Sequence, residues 1–296
     1  MNEHVLYYDP RYFCEGFGID TREKARAVVE SMSSDPIPGV QIFTPTPATY
    51  DDLVTVHDPR YVEAILTGTP SDLADANGLG SWTADLALSV VWSTGGVVSA
   101  VERALQCRTN VGSASSGLHH ARYDSGHGFC TFNGLVVGAR RALVSGAKRV
   151  LILDLDAHCG GGTASLIDGF AGIEQIDISV NSFDSYRSTG NSSLKMSRGD
   201  TYLADVREAL RGIKNPKSID VVIYNAGMDP HEDCRIGGVP GITTNTLRQR
   251  EEIVFQWANE NGIPVAYVFA GGYQGGRLSE DELVDLHRIT IMLSRF

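Results

Sequence analysis

Short runs of apolar residues recur along this chain, separated by longer stretches of helical periodicity. The runs are almost continuously apolar rather than alternating, which is typical of parallel strands buried on both faces. They predict five buried strands: Asn110–Ala114, Arg149–Leu155, Gln175–Val180, Val221–Tyr224 and Val265–Phe269.

Helical patterns lie between the apolar runs. The clearest are Thr21–Ser31, Tyr61–Leu66, Trp82–Leu105, Leu135–Leu143, Tyr202–Arg211 and Thr246–Asn259. Strands that alternate with helices favour an α/β fold with a mostly parallel sheet flanked by helices on both faces. The stretches 44–47 and 68–80 are predicted surface loops. No repeat or linker divides the 296 residues, so we expect a single domain over residues 1–296.

Composition narrows the functional classes only slightly. The net charge of −11 argues against a general nucleic-acid binder, which needs cationic side chains to neutralise phosphates. Five scattered cysteines favour a reducing, cytoplasmic setting over a disulfide framework. Neither a signal peptide nor an apolar run of about 20 residues is evident, so no membrane span is predicted.

Polar, glycine-rich segments follow four of the five predicted strands. In open α/β sheets, ligands bind beyond the carboxyl ends of the strands. The four segments can therefore meet in one crevice: 117–120, 154–162, 225–230 and 270–273.

The second of these segments indicates a metal site. Strand alternation places Asp154, Asp156 and His158 on one face, where two carboxylates are costly to bury unless a cation binds them. Asp229 could add a third ligand from another strand end. Each residue alone fits a cap or a turn, but an Asp/His/Asp set with open positions is typical of catalytic zinc. A divalent cation is the first hypothesis, and a proton relay through paired histidines is the second.

His119 and His120 follow a glycine and form the candidate pair. One imidazole would take a proton from an activated water while the other gives electrostatic support. Asp154 either fixes a histidine tautomer or bonds backbone amides, and the two interpretations are compatible. Tyr273, flanked by glycines, either donates to a developing oxyanion or packs in a tight turn. Phe129 either lines a channel or belongs to the core.

As a set, these motifs resemble the zinc-dependent histone deacetylase family of the arginase–deacetylase superfamily. The class IV branch and bacterial deacetylase-like amidohydrolases are the most similar. The resemblance extends from Leu6 to about Gly276. It rests on the segments 6–10, 57–61, 117–120, 128–130, 154–162, 225–229 and 271–273.

The resemblance implies one zinc ion per chain and a nearby structural potassium. Zinc would be held by Asp156, His158 and Asp229. Potassium would lie near Asp154, Asp156, His158 and Ser179.

The resemblance also implies the catalytic roles. His120 would be the general base and acid, with His119 beside it. Asp154 would support His119, and Tyr273 would polarise the amide oxygen. For the substrate, Gly128 and Phe129 would line an acyl-lysine-type channel with Tyr186 as its facing wall.

Three positions depart from the family pattern, and one of them is Cys159, where the usual His-His-Gly has its second histidine. Relatives often carry Asp or Asn at the position of Gly161 to support the second histidine. No side chain there can orient His120, so its pKa or activity could differ. Trp82 lies near the position where relatives hold the substrate backbone with an aspartate, and an aromatic rim would suit an apolar or cationic substrate.

The sequence therefore predicts a zinc-dependent amidohydrolase that removes acetyl or other acyl groups from an amine. The substrate is an acyl-lysine, an acetylpolyamine or a small acetamide, and the oligomeric state is not readable. One alternative is a binuclear manganese ureohydrolase, although Gly160 replaces the last carboxylate of its Asp-x-His-x-Asp pattern. Another, suggested by Gly161, is a weakly catalytic protein that binds acylated ligands.

Overall fold

One fully parallel sheet forms the centre of the molecule. The computed structural model describes residues 4–14 and 23–295, and its sheet order is β2-β1-β3-β8-β7-β4-β5-β6. All seven strand pairings are parallel, which confirms the predicted α/β class. The strands are β1 His4–Tyr7, β2 Val40–Phe43, β3 Val111–Ser113, β4 Val150–Asp154, β5 Ile173–Ser179, β6 Ser192–Met196, β7 Val221–Asn225 and β8 Val265–Val268.

Helices cover both faces of this sheet. They are α1 Glu23–Ser34, α2 Tyr50–Leu53, α3 Pro59–Thr67, α4 Ser71–Asp75, α5 Ala84–Cys107, α6 Gly134–Val144, α7 Gly161–Ile167, α8 Tyr202–Gly212, α9 Thr244–Asn261 and α10 Glu280–Leu293. One buried cluster takes residues from α1, α8, α9 and α10, and the other takes residues from α3, α5 and α6.

The central strand β4 shows why its sequence is continuously apolar. Leu151 and Leu153 pack into the first cluster, whereas Val150 and Ile152 pack into the second. Because successive side chains alternate faces, a strand covered by helices on both sides needs an apolar residue at every position.

The helix α5 is long and apolar enough to cross a membrane by length and composition. It has 24 residues, and 67% of its apolar window is buried inside the molecule. It packs against α6 and the strands β3 and β8. The burial of α5 in the core explains its apolar composition.

Several short or terminal elements were not predicted. The strands β1, β2 and β6 and the helices α2, α4, α7 and α10 are additions, and α4 lies within the predicted loop 68–80. A signal for α10 was present, because Ser279 and Glu282 form a capping box at its start. The predicted helix from Thr21 begins in the structure at Glu23, and positions 21 and 22 lie outside the described residues.

Candidate active site

The four polar segments meet at the carboxyl ends of β3, β8, β7 and β4, which are consecutive strands of the sheet. They supply neighbouring lining residues to one pocket, among them His119, Asp156, Asn225 and Gly271. The crevice expected from the topology of an open sheet is therefore present.

Three side chains with metal-ligating atoms converge in this crevice. Nδ1 of His158 lies 3.2 Å from Oδ1 of Asp156 and 3.1 Å from Oδ2 of Asp229. All three residues are buried. Ligands of a four-coordinate zinc, each about 2.0 Å from the ion, are separated by about 3.3 Å. The spacing and the chemistry of this set fit a single divalent ion.

Backbone amides hold the remaining carboxylate oxygens. Gly271 N donates to Oδ2 of Asp156 at 2.8 Å, and Ala157 N donates to Oδ1 of Asp229 at 2.9 Å. A Cβ on Gly271 would overlap oxygens of both carboxylates, so only glycine can bring its amide this close. The other oxygen of each carboxylate is thereby directed toward His158.

The electrostatics of the set favour a positive charge. Burial opposes a charge on His158, but hydrogen bonds with Asp156 and Asp229 outweigh it and raise the pKa of this imidazole to about 10. Burial and the same two carboxylates hold the pKa of the Tyr273 phenol well above its usual value. A cation is therefore favoured among these carboxylates, and Tyr273 remains a proton donor.

The rings of His119 and His120 stack beside the carboxylates, with centroids 3.9 Å apart. Nδ1 of His119 lies 2.9 Å from Oδ2 of Asp154, as the sequence predicted, and Asn225 donates to the other oxygen of Asp154 at 2.8 Å. Burial opposes a charge on His119, but Asp154 and Asp156 outweigh it and raise its pKa to about 10. These carboxylates therefore favour the protonated form of His119.

His120 is paired with a residue that the sequence did not single out. Its Nδ1 lies 2.9 Å from Oδ2 of Asp184, in the segment after β5. Position 161 is a glycine and offers His120 no side chain, and Asp184 supplies one from another segment. Burial and the neighbouring charge of His119 lower the pKa of His120 to about 4. The surroundings therefore favour protonation of His119 more than that of His120.

Hydrogen bonds to backbone carbonyl oxygens hold the segment that carries His119 and His120. Thr163 N donates to the carbonyl oxygen of His119 at 2.9 Å. Nδ1 of His57 lies 2.8 Å from the carbonyl oxygen of Arg122, and Nε2 of His57 accepts from Asn133 N at 2.9 Å. The segment around His57 therefore supports the backbone next to the histidine pair.

A cavity of about 320 Å³ opens beside these groups. Phe129 and Phe183 line it together with Tyr273 and His120. Gly128 also lines it, and a Cβ there would lie 2.5 Å from Cδ2 of His120. The predicted channel residues Gly128 and Phe129 are therefore brought to the cavity.

Two predicted substrate residues are not brought to the cavity. Tyr186 donates its hydroxyl to the carbonyl oxygen of Ser193 at 3.2 Å. Trp82 donates its indole N–H to the carbonyl oxygen of Ile65 at 2.7 Å. The wall assigned to Tyr186 is formed by Phe183 in the same segment, because register within an irregular loop is not fixed by sequence.

A second group of side chains with metal-ligating atoms lies nearby among the described residues. It consists of His120, His127 and Asp184, and His127 is exposed. The hydrogen bond between His120 and Asp184 accounts for the closeness of these two.

Comparisons with known proteins found a matching family and several similar proteins. The histone deacetylase domain family matches residues 19–284. An uncharacterized protein of Picosynechococcus sp. is 32% identical, over 79% of this chain and 79% of its own length. Histone deacetylase 2 of Arabidopsis thaliana is 27% identical over 86% of this chain and 69% of its own length. A probable deacetylase of Methanothermobacter thermautotrophicus is 26% identical over 94% and 88%.

A solved structure extends the likeness to the fold. The crystal structure of the HDA15 HD domain superposes with a TM-score of 0.77 and 19% identity. The match covers 99% of this chain and 90% of that one.

Proposed function

The chain belongs to the histone deacetylase family, and from this premise we propose that it is a zinc-dependent amidohydrolase that removes an acyl group from an amine. The family and its relatives named as deacetylases support a hydrolytic deacetylase in general. The observation that carries the finer proposal is the buried convergence of Asp156, His158 and Asp229 beside the paired rings of His119 and His120.

The three ligands would hold the ion, which supplies Lewis-acid polarisation of an amide carbonyl and a lowered pKa for water. His120 is neutral, so it can accept the proton of the attacking water. His119 is cationic and stabilises negative charge that develops beside it.

Tyr273 and the aromatic walls complete the reaction. The phenol of Tyr273 is protonated and borders the cavity, so it donates to the oxygen of the tetrahedral species. Phe129 and Phe183 enclose an apolar acyl or aliphatic chain and exclude water. His120 returns its proton to the leaving amine, which completes the hydrolysis.

For the substrate we propose a small-molecule amide or an acyl-lysine. The cavity between two phenylalanines suits an aliphatic linker, and the net charge of −11 attracts a cationic amine. We keep a cytoplasmic location, supported by the odd number and scattered spacing of the five cysteines. A structural potassium near Asp154, Asp156, His158 and Ser179 stays a prediction from the resemblance. A single catalytic domain without nucleic-acid or membrane partners stays a prediction from patterning and charge.

The manganese ureohydrolase alternative lacks carboxylates at two positions of its pattern. Its extra carboxylates would stand at Gly160 and just before Asp229. A Cβ on Gly160 would lie 2.5 Å from Oδ2 of Asp154, and one on Gly227 would lie 2.7 Å from Cα of Asp156. The surroundings are therefore built for glycine at both positions.

The proposal is tested with the zinc-loaded protein and a panel of acyl-lysines, acetylated polyamines and small acetamides. We expect turnover of at least one class, its loss on treatment with a chelator and its return with zinc. Silence across the panel, with ligand binding retained, would favour the binding-protein alternative. Two manganese ions per chain with release of urea from a guanidino substrate would favour the ureohydrolase.

A further inference from the structure

We propose that Asp184 is the positioning residue of His120, supplied from the segment after β5, and that Gly161 and Arg122 hold it in place. The inference rests on the proposed function, because it assigns a role toward the proposed base. It concerns how this chain replaces the side chain that position 161 lacks.

The contact of Asp184 with His120 is buried and directional. Oδ2 of Asp184 lies 2.9 Å from Nδ1 of His120, and it also accepts from Gly162 N at 3.1 Å. Only 2% of the Asp184 side chain is exposed. A carboxylate at Nδ1 keeps the proton on that nitrogen, so Nε2 remains free to accept another.

Arg122 fixes the other side of the carboxylate. One guanidinium nitrogen donates to Oδ1 of Asp184, and another donates to the carbonyl oxygen of Gly161 at 2.6 Å. Because Arg122 offsets much of the charge of Asp184, this carboxylate orients the imidazole without making it permanently cationic.

Gly161 is the counterpart of Asp184. A Cβ on Gly161 would overlap the backbone oxygen of Asp184 and would lie 2.7 Å from its Oδ1. Position 161 must therefore lack a side chain for the segment after β5 to approach. Gly161 and Asp184 are therefore complementary. Position 161 has no side chain, and the carboxylate of Asp184 reaches His120 from a different loop.

The same segment supplies a wall of the cavity. The ring of Phe183 lies 5.0 Å from that of His120, nearly perpendicular to it, and stacks on His127. Phe183 therefore contacts the substrate, whereas Asp184 acts through the base. Substitutions at these two neighbours should have different kinetic effects. A change at Phe183 should raise KM because it affects binding, whereas a change at Asp184 should lower kcat because it affects turnover.

Two replacements of Asp184 suit its backbone. Its φ of 59° lies in the left-handed region, which glycine and asparagine tolerate. Asp184→Gly removes the side chain without adding strain, and Asp184→Asn keeps an oxygen that can accept from Nδ1. Ser185→Ala, at an exposed neighbour, serves as the matched control.

We expect Asp184→Gly to lower kcat about 10- to 100-fold, with KM within about twofold and zinc content and Tm close to those of the parent. Asp184→Asn should recover most of this loss. Gly161→Ala should reproduce it because the added methyl displaces Asp184. Phe183→Ala should mainly raise KM, and Ser185→Ala should change neither constant.

A second readout does not require turnover. Nitrogen-15 NMR of the His120 imidazole in the zinc-loaded protein should show the Nδ1–H tautomer, and Asp184→Gly should mix the two tautomers. Unchanged kcat and tautomer in Asp184→Gly would overturn the proposal, as would loss of kcat explained by loss of zinc. If no substrate is turned over, the proposed function fails, and the NMR result still decides the role of Asp184.

Discussion

The guanidinium of Arg250 donates a hydrogen bond of 2.7 Å to the carbonyl oxygen of Gly227, two residues before the proposed metal ligand Asp229. The same nitrogen donates to the carbonyl oxygen of Leu155 at 3.1 Å, directly before Asp156. One side chain of α9 thus fixes the backbone of both loops that carry the carboxylate ligands. The position of the site therefore depends on the core layer beneath it.

Replacement of Arg250 by methionine should destabilise the fold and loosen the metal site together. Arg250 and Glu251 form a fully buried ion pair, with nitrogen and oxygen 2.6 Å apart. Removal of one partner leaves the other charge buried, which costs about 3–5 kcal/mol. Urea unfolding and zinc titration measure both effects.

The control for that change is the exposed pair of Arg198 and Asp200. Arg198→Gln should leave the free energy of unfolding and the zinc affinity unchanged, because exposed pairs contribute little. Equal behaviour of the two arginine variants would contradict the role given to Arg250.

Tyr273→Phe should lower kcat about 100- to 1,000-fold while zinc remains bound, because it removes one oxyanion donor. The phenol is buried and borders the cavity, so loss of one oxygen leaves the packing intact. Steady-state kinetics and metal analysis on the same sample provide the measurement. Near-parental turnover in this variant would refute the assigned donor.

His120→Ala should reduce kcat about 100- to 10,000-fold, the usual range for loss of a general base. His119→Ala should reduce it less, because a cationic imidazole contributes by electrostatics. Parallel kcat measurements on both variants rank the pair. If His119→Ala is far worse, the order of the two roles is reversed.

The sequence predicted the sheet and the metal set because both follow from local patterns. All five residues of the strand Val150–Asp154 are buried, and all but its terminal aspartate are apolar. The ligands follow strands directly, so the topology of the sheet alone brings Asp156 and Asp229 together. Polar or very short edge strands such as Ser192–Met196 carry no comparable pattern and were not predicted.

The partner of His120 could not be predicted by the same reasoning. Asp184 lies in an irregular segment, and its approach depends on a glycine at position 161 that the sequence alone presents as a loss. Tyr186 and Phe183 show the same limit, because loop geometry decides which aromatic faces the cavity. Motif spacing identifies functional residues on regular elements, whereas contacts between loops can be identified only from a three-dimensional structure.

Asp229→Ala should abolish stoichiometric zinc binding, and the parent should bind one zinc ion per chain. Asp229 is one of three buried side chains whose candidate ligand atoms converge, so its removal leaves only two of them. Plasma mass spectrometry after dialysis measures the content. Asp200→Ala, at an exposed carboxylate, is the control that should keep the ion. Two ions per parent chain would contradict the mononuclear site.

The stability of the fold should decrease as the pH falls from about 6.5 toward 4, and His57 should account for part of the decrease. Burial lowers the pKa of His57 to about 4, whereas the unfolded chain has the ordinary value of 6.5. Between these values the unfolded state binds more protons, so the contribution is complete above pH 6.5 and is lost as acid is added. From pH 6.5 to 5 it amounts to about 2 kcal/mol. The physical reason is that Nε2 of His57 accepts from Asn133 N and cannot do so when protonated.

Urea unfolding of the parent and of His57→Asn at several pH values checks this contribution. The asparagine can still donate to the carbonyl oxygen of Arg122 but has no proton to gain in this range, so the slope of stability against pH should become shallower. His4, whose pKa burial also lowers to about 4, contributes to both proteins and cancels in the comparison. Identical slopes for the two proteins would show that His57 is not an acid-sensitive support of the histidine segment.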